Sequence, residues 1–172
     1  MLERRCDECG AEVRSLAPHD IASSLRQAID DWVTVLQTEE YRDALLVRPA
    51  VGVWSAVEYA YHVAEVIDVF QARVFAMLTE ENPEFDDWVP EQRAEPVPQS
   101  PETAIGVIVG AGERFSSIFE SLHPSLTQRV GRRPDGYEYT VVNVGRYVLH
   151  DILHHLCDAT RGLELLSPKG TQ

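Results

Sequence analysis

Four stretches of the sequence repeat apolar residues at steps of three and four, the spacing that puts them on one face of an α-helix. Three of the stretches follow recognisable helix starts: the capping box Ser55-x-x-Glu58, the proline start Ser100-Pro101-Glu102, and Thr140-x-x-Asn143. The first stretch follows Asp20, which we expect to cap it. Because amphipathic helices bury their apolar faces against one another, the sequence predicts an all-α four-helix bundle.

The segments between the predicted helices carry proline and glycine. We expect the helices to end near Thr38, before Asn82-Pro83, at His123-Pro124 and near Leu165. The proline-rich stretch between the second and third helices is long enough to form a lid or pocket wall. A Pro-Asp-Gly turn within residues 131–139 predicts a small β-hairpin before the last helix. With such long connections the helices need not follow a simple up-down order.

The bulk composition limits the class of protein. A length of 172 residues suits one domain, which we place at residues 19–168 behind a short N-terminal segment at residues 1–18. A formal charge of −13 argues against nucleic acid and against an anionic membrane surface as partners. No apolar run approaches the roughly 18–20 residues of a membrane span, and no secretory signal is recognisable. Three cysteines, an odd number, fit a reducing compartment better than a set of disulfides, so we expect a cytoplasmic protein. We also expect a small-molecule substrate, and a homodimer is compatible with the sequence.

Two histidines, His150 and His154, stand one turn apart in the last predicted helix. Each helical residue advances the side-chain direction by about 100°, so these two share a face, whereas His155 points roughly 140° away from His150. Two imidazoles at this spacing can bind one divalent ion, with a third ligand from a facing helix, and His62 is the candidate. A metal ion held by three histidines keeps coordination positions open to substrate or water, which is typical of a catalytic site. A hydrogen-bonded core histidine, or a solvated face, explains the pattern without one.

The same residues carry a family resemblance. Trp54-Ser-Ala-Val-Glu58-Tyr-Ala-Tyr-His62-Val and Tyr147-Val-Leu-His150-Asp-Ile-Leu-His154-His155-Leu resemble the DinB/YfiT-like superfamily of metal-binding four-helix bundles. The resemblance covers about residues 20–165 and implies a metal site formed by His62, His150 and His154. Members of known activity include thiol S-transferases that use bacillithiol or mycothiol, and many others have no assigned activity.

The resemblance implies a metal-dependent, low-molecular-weight thiol S-transferase that acts on small electrophiles. The metal would hold the sulfur of the thiol as a thiolate, and the imidazoles would serve as ligands, so no catalytic acid or base is assigned. Zinc is the expected ion, with nickel or another divalent metal as alternatives. Two other classes stay open: a metal-dependent hydrolase or isomerase of a small molecule, and a non-catalytic metal-binding stress or interaction protein.

A second pattern, Cys6-x-x-Cys9-Gly10, resembles half of a zinc knuckle. The sequence nearby supplies no second half, so His19 or His155 would have to complete it in the fold. The alternatives are an unstructured tail and a redox pair. The cysteines are therefore candidates for a second metal site or a redox site.

Three further residues are candidates for the pocket. Cys157 shares the face of the histidine pair and could be a fourth ligand or a nearby thiolate, although a small buried core residue is the simpler interpretation. Glu58 could orient the ligand His62 from one turn away, although its capping role explains it without a metal. Trp88 could form a pocket wall or pack into the core.

Overall fold

The computed structural model describes residues 5–88 and 100–167. Four long helices and a two-stranded antiparallel hairpin confirm the predicted fold class. The proline-rich stretch predicted as a lid or pocket wall lies mostly outside the described residues, at 89–99. None of the helices in the described ranges is long and apolar enough to cross a membrane. The elements are α1 (Pro18–Gln37), α2 (Ala56–Thr79), α3 (Pro101–Glu120), β1 (Val130–Arg132), β2 (Glu138–Thr140) and α4 (Val141–Leu166).

The helix starts follow the sequence signals, with one difference at α1. At α2, the Ser55 hydroxyl accepts a hydrogen bond from the Glu58 N–H at 3.3 Å, and the Glu58 carboxylate accepts one from the Ser55 N–H at 2.8 Å. Helix α1 begins at Pro18, so Asp20 is not its cap. The Asp20 carboxylate lies in the first turn and accepts a hydrogen bond from the Ala17 N–H at 3.3 Å. Proline suits the first helical position because its φ is fixed and it lacks the N–H that would go unbonded there.

The order of the helices around the bundle is not the order of the chain. Helix α1 packs mainly against α3 and α4, and α2 packs mainly against the same two helices. The consecutive helices α1 and α2 therefore stand diagonally opposite, which a simple up-down bundle does not allow. The core between the helices includes the fully buried side chains of Trp32, Ile67, Phe115, Phe119 and Leu149. Because α2 and α4 are neighbours, polar side chains on their facing surfaces can meet.

The hairpin connects α3 to α4 and closes over the end of α2. Strand β1 pairs with β2 so that Gly131 lies opposite Tyr139. A side chain at position 131 would collide with the ring of Phe85 and with Met77, so this close approach requires glycine. The hydroxyl of Thr140, the last residue of β2, accepts a hydrogen bond from the Asn143 N–H and caps α4.

The N-terminal segment, residues 5–16, folds back onto α4. Its turn is closed by a hydrogen bond of 2.9 Å from the Gly10 N–H to the Cys6 carbonyl, and Gly10 has a φ of 74°, which favours glycine. Val13 is buried in the core. The Arg146 guanidinium of α4 donates hydrogen bonds to the Leu16 carbonyl at 2.8 and 3.1 Å. These contacts hold the segment beside the histidine-bearing part of α4.

Candidate metal centres

Helix α4 carries two overlapping pairs of ligand-type residues, each pair one helical turn apart. His150 and His154 form one pair, and Asp151 and His155 form the other. Each member of the second pair follows its counterpart by one residue, so the second pair is turned about 100° around the helix axis. One pair faces the N-terminal segment, and the other faces α2.

The first group of ligand-type residues joins His62 of α2 to Asp151 and His155 of α4. One donor atom from each residue lies within 4.8 Å of the other two. The rings of His62 and His155 meet edge to face with centroids 4.9 Å apart, and His155 Nε2 lies 3.7 Å from Asp151 Oδ2. Trp54 and Trp88 pack on the buried His62 ring at centroid distances of 4.9 and 5.9 Å. The group therefore lies in an aromatic environment, where an uncompensated charge is costly.

The buried polar atoms of this group fit a divalent cation. Burial raises the pKa of the Asp151 carboxyl, and the nearby imidazoles oppose that rise. Asp151 Oδ2 and His155 Nδ1 are buried atoms that make no hydrogen bond to any described residue. Because buried polar atoms are normally hydrogen-bonded, Asp151 Oδ2 calls for a further partner. His155 Nδ1 lies 3.6 Å from the Asp158 carboxylate, which can orient the His155 ring while Nε2 faces Asp151. Two imidazoles and a carboxylate are a donor set that zinc and other first-row divalent ions take.

The second group joins Cys6 and Cys9 of the N-terminal segment to His150 and His154 of α4. Their four donor atoms lie within 4.8 Å of one another. Cys6 Sγ lies 3.7 Å from His154 Nδ1, and Cys9 Sγ lies 3.9 Å from His150 Nε2. The Cys9 N–H, followed by the His150 side chain, lowers the pKa of the Cys6 thiol to about 6, while burial raises the pKa of the Cys9 thiol. One thiol of the pair is thus readily ionised, as a thiolate ligand must be.

The predicted ligand set of His62, His150 and His154 is divided between the two groups. His62 meets His155, whereas His150 and His154 face the cysteines. The helical geometry correctly separated His155 from His150, but it did not reveal which of the two faces turns toward α2. His19, considered as a partner for the cysteines, is instead exposed at the start of α1, with its Nε2 3.0 Å from an Asp20 carboxylate oxygen.

The three residues considered for the pocket lie in different surroundings. Cys157 is only partly buried, belongs to neither group, and has its Sγ 3.8 Å from the Glu8 carbonyl. Glu58 forms the capping box, and its carboxylate also forms an ion pair with Arg48. The Arg48 Nε lies 2.8 and 3.0 Å from the two carboxylate oxygens of Glu58. Trp88 stacks nearly parallel to the His62 ring, at an interplanar angle of 12°, and so forms one wall of the first group.

The sequence reasoning missed Asp151, and it considered His155 only as a partner for the cysteines. Asp-x-x-x-His has the same spacing as His-x-x-x-His, and the two patterns overlap within six residues of α4. A search for mixed carboxylate and imidazole pairs would have found both, because either pairing gives two donors on one helix face. Glu8 was also missed, and its carboxylate lies 3.2 Å from His154 Nε2.

A cavity of about 480 Å³ opens beside both groups. This volume is within the usual range for pockets that bind small molecules. Side chains of the N-terminal segment form one side, and α4 forms the other. The lining residues are Arg5, Cys6, Asp7, Glu8, Tyr147, His150, Asp151, His154 and His155.

A metal-binding four-helix bundle of this shape has known relatives. The chain belongs to the DinB superfamily, whose family model matches residues 24–157, and the resemblance noted from the sequence is thereby confirmed. In structure it is similar to YfiT from Bacillus subtilis, with a TM-score of 0.64 and 19% sequence identity over 87% of this chain and 83% of that chain. YfiT is described as a probable metal-dependent hydrolase with an unusual four-helix bundle topology. No curated protein gives a significant match.

Proposed function

We propose that this chain is a metal-dependent enzyme whose reaction centre is the group of His62, Asp151 and His155. The observation that carries the proposal is the convergence of these three donors from α2 and α4 beside a cavity of about 480 Å³. Three protein ligands leave coordination positions open to a substrate, as catalytic metal sites do. The description of YfiT as a probable metal-dependent hydrolase supports a metal-dependent reaction in this fold.

The reaction we favour is the transfer of a low-molecular-weight thiol, such as mycothiol or bacillithiol, to a small electrophile. His62, Asp151 and His155 would hold a divalent ion, with zinc as our first choice, and the ion would supply the positive charge that favours the thiolate form of a bound thiol, the proton passing to solvent. The sulfur would then bond to an electrophilic carbon as a leaving group departs with the electrons of the broken bond. Asp151 supplies the negative charge that attracts the ion, and His62 and His155 supply neutral donors. Trp54 and Trp88 cover His62 and keep water from its ring.

A hydrolase is the second candidate, and the donor set itself favours it. Two imidazoles and one carboxylate are also the ligands of zinc peptidases, in which water is the attacking group. In that case the same three residues would hold the ion, and the substrate would be a small ester or amide. The two candidate reactions use different nucleophiles, a thiolate in the transferase and water in the hydrolase. Only the transferase therefore requires an added thiol.

The test measures thiol conjugation by the purified, metal-loaded protein. Mycothiol or bacillithiol is supplied with a fluorogenic haloalkane such as monochlorobimane. The variants His62→Ala, Asp151→Asn and His155→Ala should each lower the rate by at least about 100-fold, since loss of a direct ligand should exceed the usual effect of losing a residue that merely orients one. His123→Ala, which changes an exposed histidine of the connection after α3, is the matched control and should keep the wild-type rate.

The outcomes separate the site from the substrate. Turnover of esters without turnover of any thiol, and with the same dependence on the three ligands, would favour the hydrolase. Wild-type rates in all three ligand variants would contradict the proposed reaction centre.

A further inference from the structure

The second group of ligand-type residues has a different design from the first. It contains four donors instead of three, and two of them are sulfurs from the N-terminal segment. We propose that Cys6, Cys9, His150 and His154 form a structural zinc site that fastens the N-terminal segment to α4. This site is separate from the proposed reaction centre and does not depend on that proposal.

The distances within the group fit a tetrahedral zinc ion. With zinc–sulfur bonds of about 2.3 Å and zinc–nitrogen bonds of about 2.1 Å, a tetrahedron places sulfur and nitrogen ligands about 3.6 Å apart. The distance from Cys6 Sγ to His154 Nδ1 is 3.7 Å, and that from Cys9 Sγ to His150 Nε2 is 3.9 Å. These two sulfur–nitrogen pairs therefore stand at close to the separation that one ion would impose, and all four donors lie within 4.8 Å of one another.

The sequence spacing and the surroundings agree with a structural ion. Two cysteines separated by two residues and two histidines separated by three are the usual arrangement of closed Cys2His2 zinc sites. The turn that presents the cysteines is closed by the Gly10 N–H on the Cys6 carbonyl. On the far side of the His154 ring, Nε2 lies 3.2 Å from the Glu8 carboxylate, as expected where a carboxylate orients a zinc-bound imidazole.

Four protein donors complete the coordination of zinc, so this site has no position for a substrate. Its effect is mechanical. Arg5, Cys6, Asp7 and Glu8 form one side of the cavity, and the ion would fix that side against α4. The N-terminal segment is thus held as a wall of the cavity by metal–ligand bonds in addition to its hydrogen bonds.

Cobalt binding tests the site, because cobalt(II) bound by thiolate absorbs strongly in the near ultraviolet, whereas a nitrogen and oxygen site does not. The reduced protein is stripped of metal with a chelator and titrated with cobalt(II). We expect this absorption in the wild type, and its saturation at one equivalent per chain in the variant His62→Ala, in which the other group lacks a ligand. The absorption should be lost in the double variant Cys6→Ser/Cys9→Ser. His62→Ala, which removes a ligand of the other group, should retain it in full.

Cys157→Ser is the matched control, because Cys157 lies on the same helix near the site but outside the group. It should leave the absorption unchanged. No thiolate absorption in the reduced wild type would overturn the proposal, and so would its loss in Cys157→Ser. A second measurement needs only the zinc-loaded wild type and so does not depend on the folding of the double variant. A thiol-modifying reagent should release one equivalent of zinc per chain, and release of none would contradict the proposed site.

Discussion

His154 and His155 are consecutive residues that contact different partners. The His154 ring presents Nδ1 to the Cys6 sulfur at 3.7 Å, whereas the centroid of the His155 ring lies 4.9 Å from that of His62. Successive side chains on an α-helix diverge by about 100°, which suffices to direct the two imidazoles toward different elements, the N-terminal segment and α2. Substitutions one residue apart should therefore have separable effects.

His155→Ala should lower thiol conjugation by at least about 100-fold, because it removes a direct ligand of the proposed reaction centre. The same variant should keep the cobalt–thiolate absorption of the cysteine site. His154→Ala should instead weaken cobalt binding at the cysteines, with a smaller effect on the conjugation rate. Parallel rate assays and cobalt titrations of both variants check this. Loss of conjugation in His154→Ala with full activity in His155→Ala would restore the ligand set expected from the sequence.

The ion pair of Arg48 with Glu58 predicts a dependence of stability on pH. The Arg48 side chain, followed by backbone and hydroxyl donors of Ser55, lowers the pKa of the Glu58 carboxyl from its ordinary value of 4.5. A lowered pKa in the folded state stabilises the fold above the unfolded pKa, and this contribution is lost as the pH falls through the folded pKa. Glu58→Gln should therefore reduce the free energy of unfolding by up to about 1 kcal/mol near neutral pH.

The difference between Glu58→Gln and the wild type should shrink toward zero as the pH falls below 4.5 and through the lowered pKa of Glu58 in the folded state, as urea unfolding at several pH values would show. Glu39→Gln is a suitable control, because it removes an exposed ion pair with Arg42 that we expect to contribute little. A constant difference across the pH range would mean that the carboxylate charge of Glu58 has no part in the effect.

At the level of the helices, the start signals are local and could be predicted from the sequence. The Ser55–Glu58 and Thr140–Asn143 contacts join residues three apart, so they are encoded where they act. The diagonal placement of α1 and α2 is not encoded locally, because it depends on how all four apolar faces pack together. The contact between Cys6 and His154 also depends on the whole fold, because the two residues are 148 positions apart and no pattern near Cys6 indicates its partner.

The packing of α4 against α1 and α3 can be tested at Gly145. A side chain there would collide with the Phe119 ring of α3 and approach Ile21 of α1. Gly145→Ala should destabilise the fold by about 1–3 kcal/mol through overpacking. Gly106→Ala is the matched control within α3, since no atom lies within 4 Å of the added carbon, and it should stabilise the fold by about 0.5–1 kcal/mol. Urea unfolding measures both, and a neutral Gly145→Ala would mean that these helices pack less closely than described.

For the whole molecule, metal binding should increase the free energy of unfolding. An ion that binds only the folded chain stabilises it by about 4 kcal/mol when its concentration exceeds the dissociation constant about 1,000-fold. For a chain of this size, that energy corresponds to a change in melting temperature of roughly 8–16 °C. We therefore expect a strong chelator to lower the melting temperature of the wild type by about 10 °C.

The chelator should lower the melting temperature less in the variant Cys6→Ser/Cys9→Ser, which has lost the structural zinc site and keeps only the ion at His62, Asp151 and His155. Limited proteolysis should at the same time show faster cleavage within residues 5–16 once the metal is removed. An unchanged melting temperature and an unchanged cleavage rate would contradict a structural role for the ion.

Because one rigid helix supplies donors to both groups, α4 cannot rotate to suit one ion without displacing the ligands of the other. An ion of different radius must therefore be accommodated by the partners of α4. At the cysteine group, the partner is the short N-terminal segment, which belongs to no helix or strand. At the other group, it is α2, which is packed into the core along its length. We therefore expect the cysteine group to accept ions of several sizes and the group at His62 to discriminate among them.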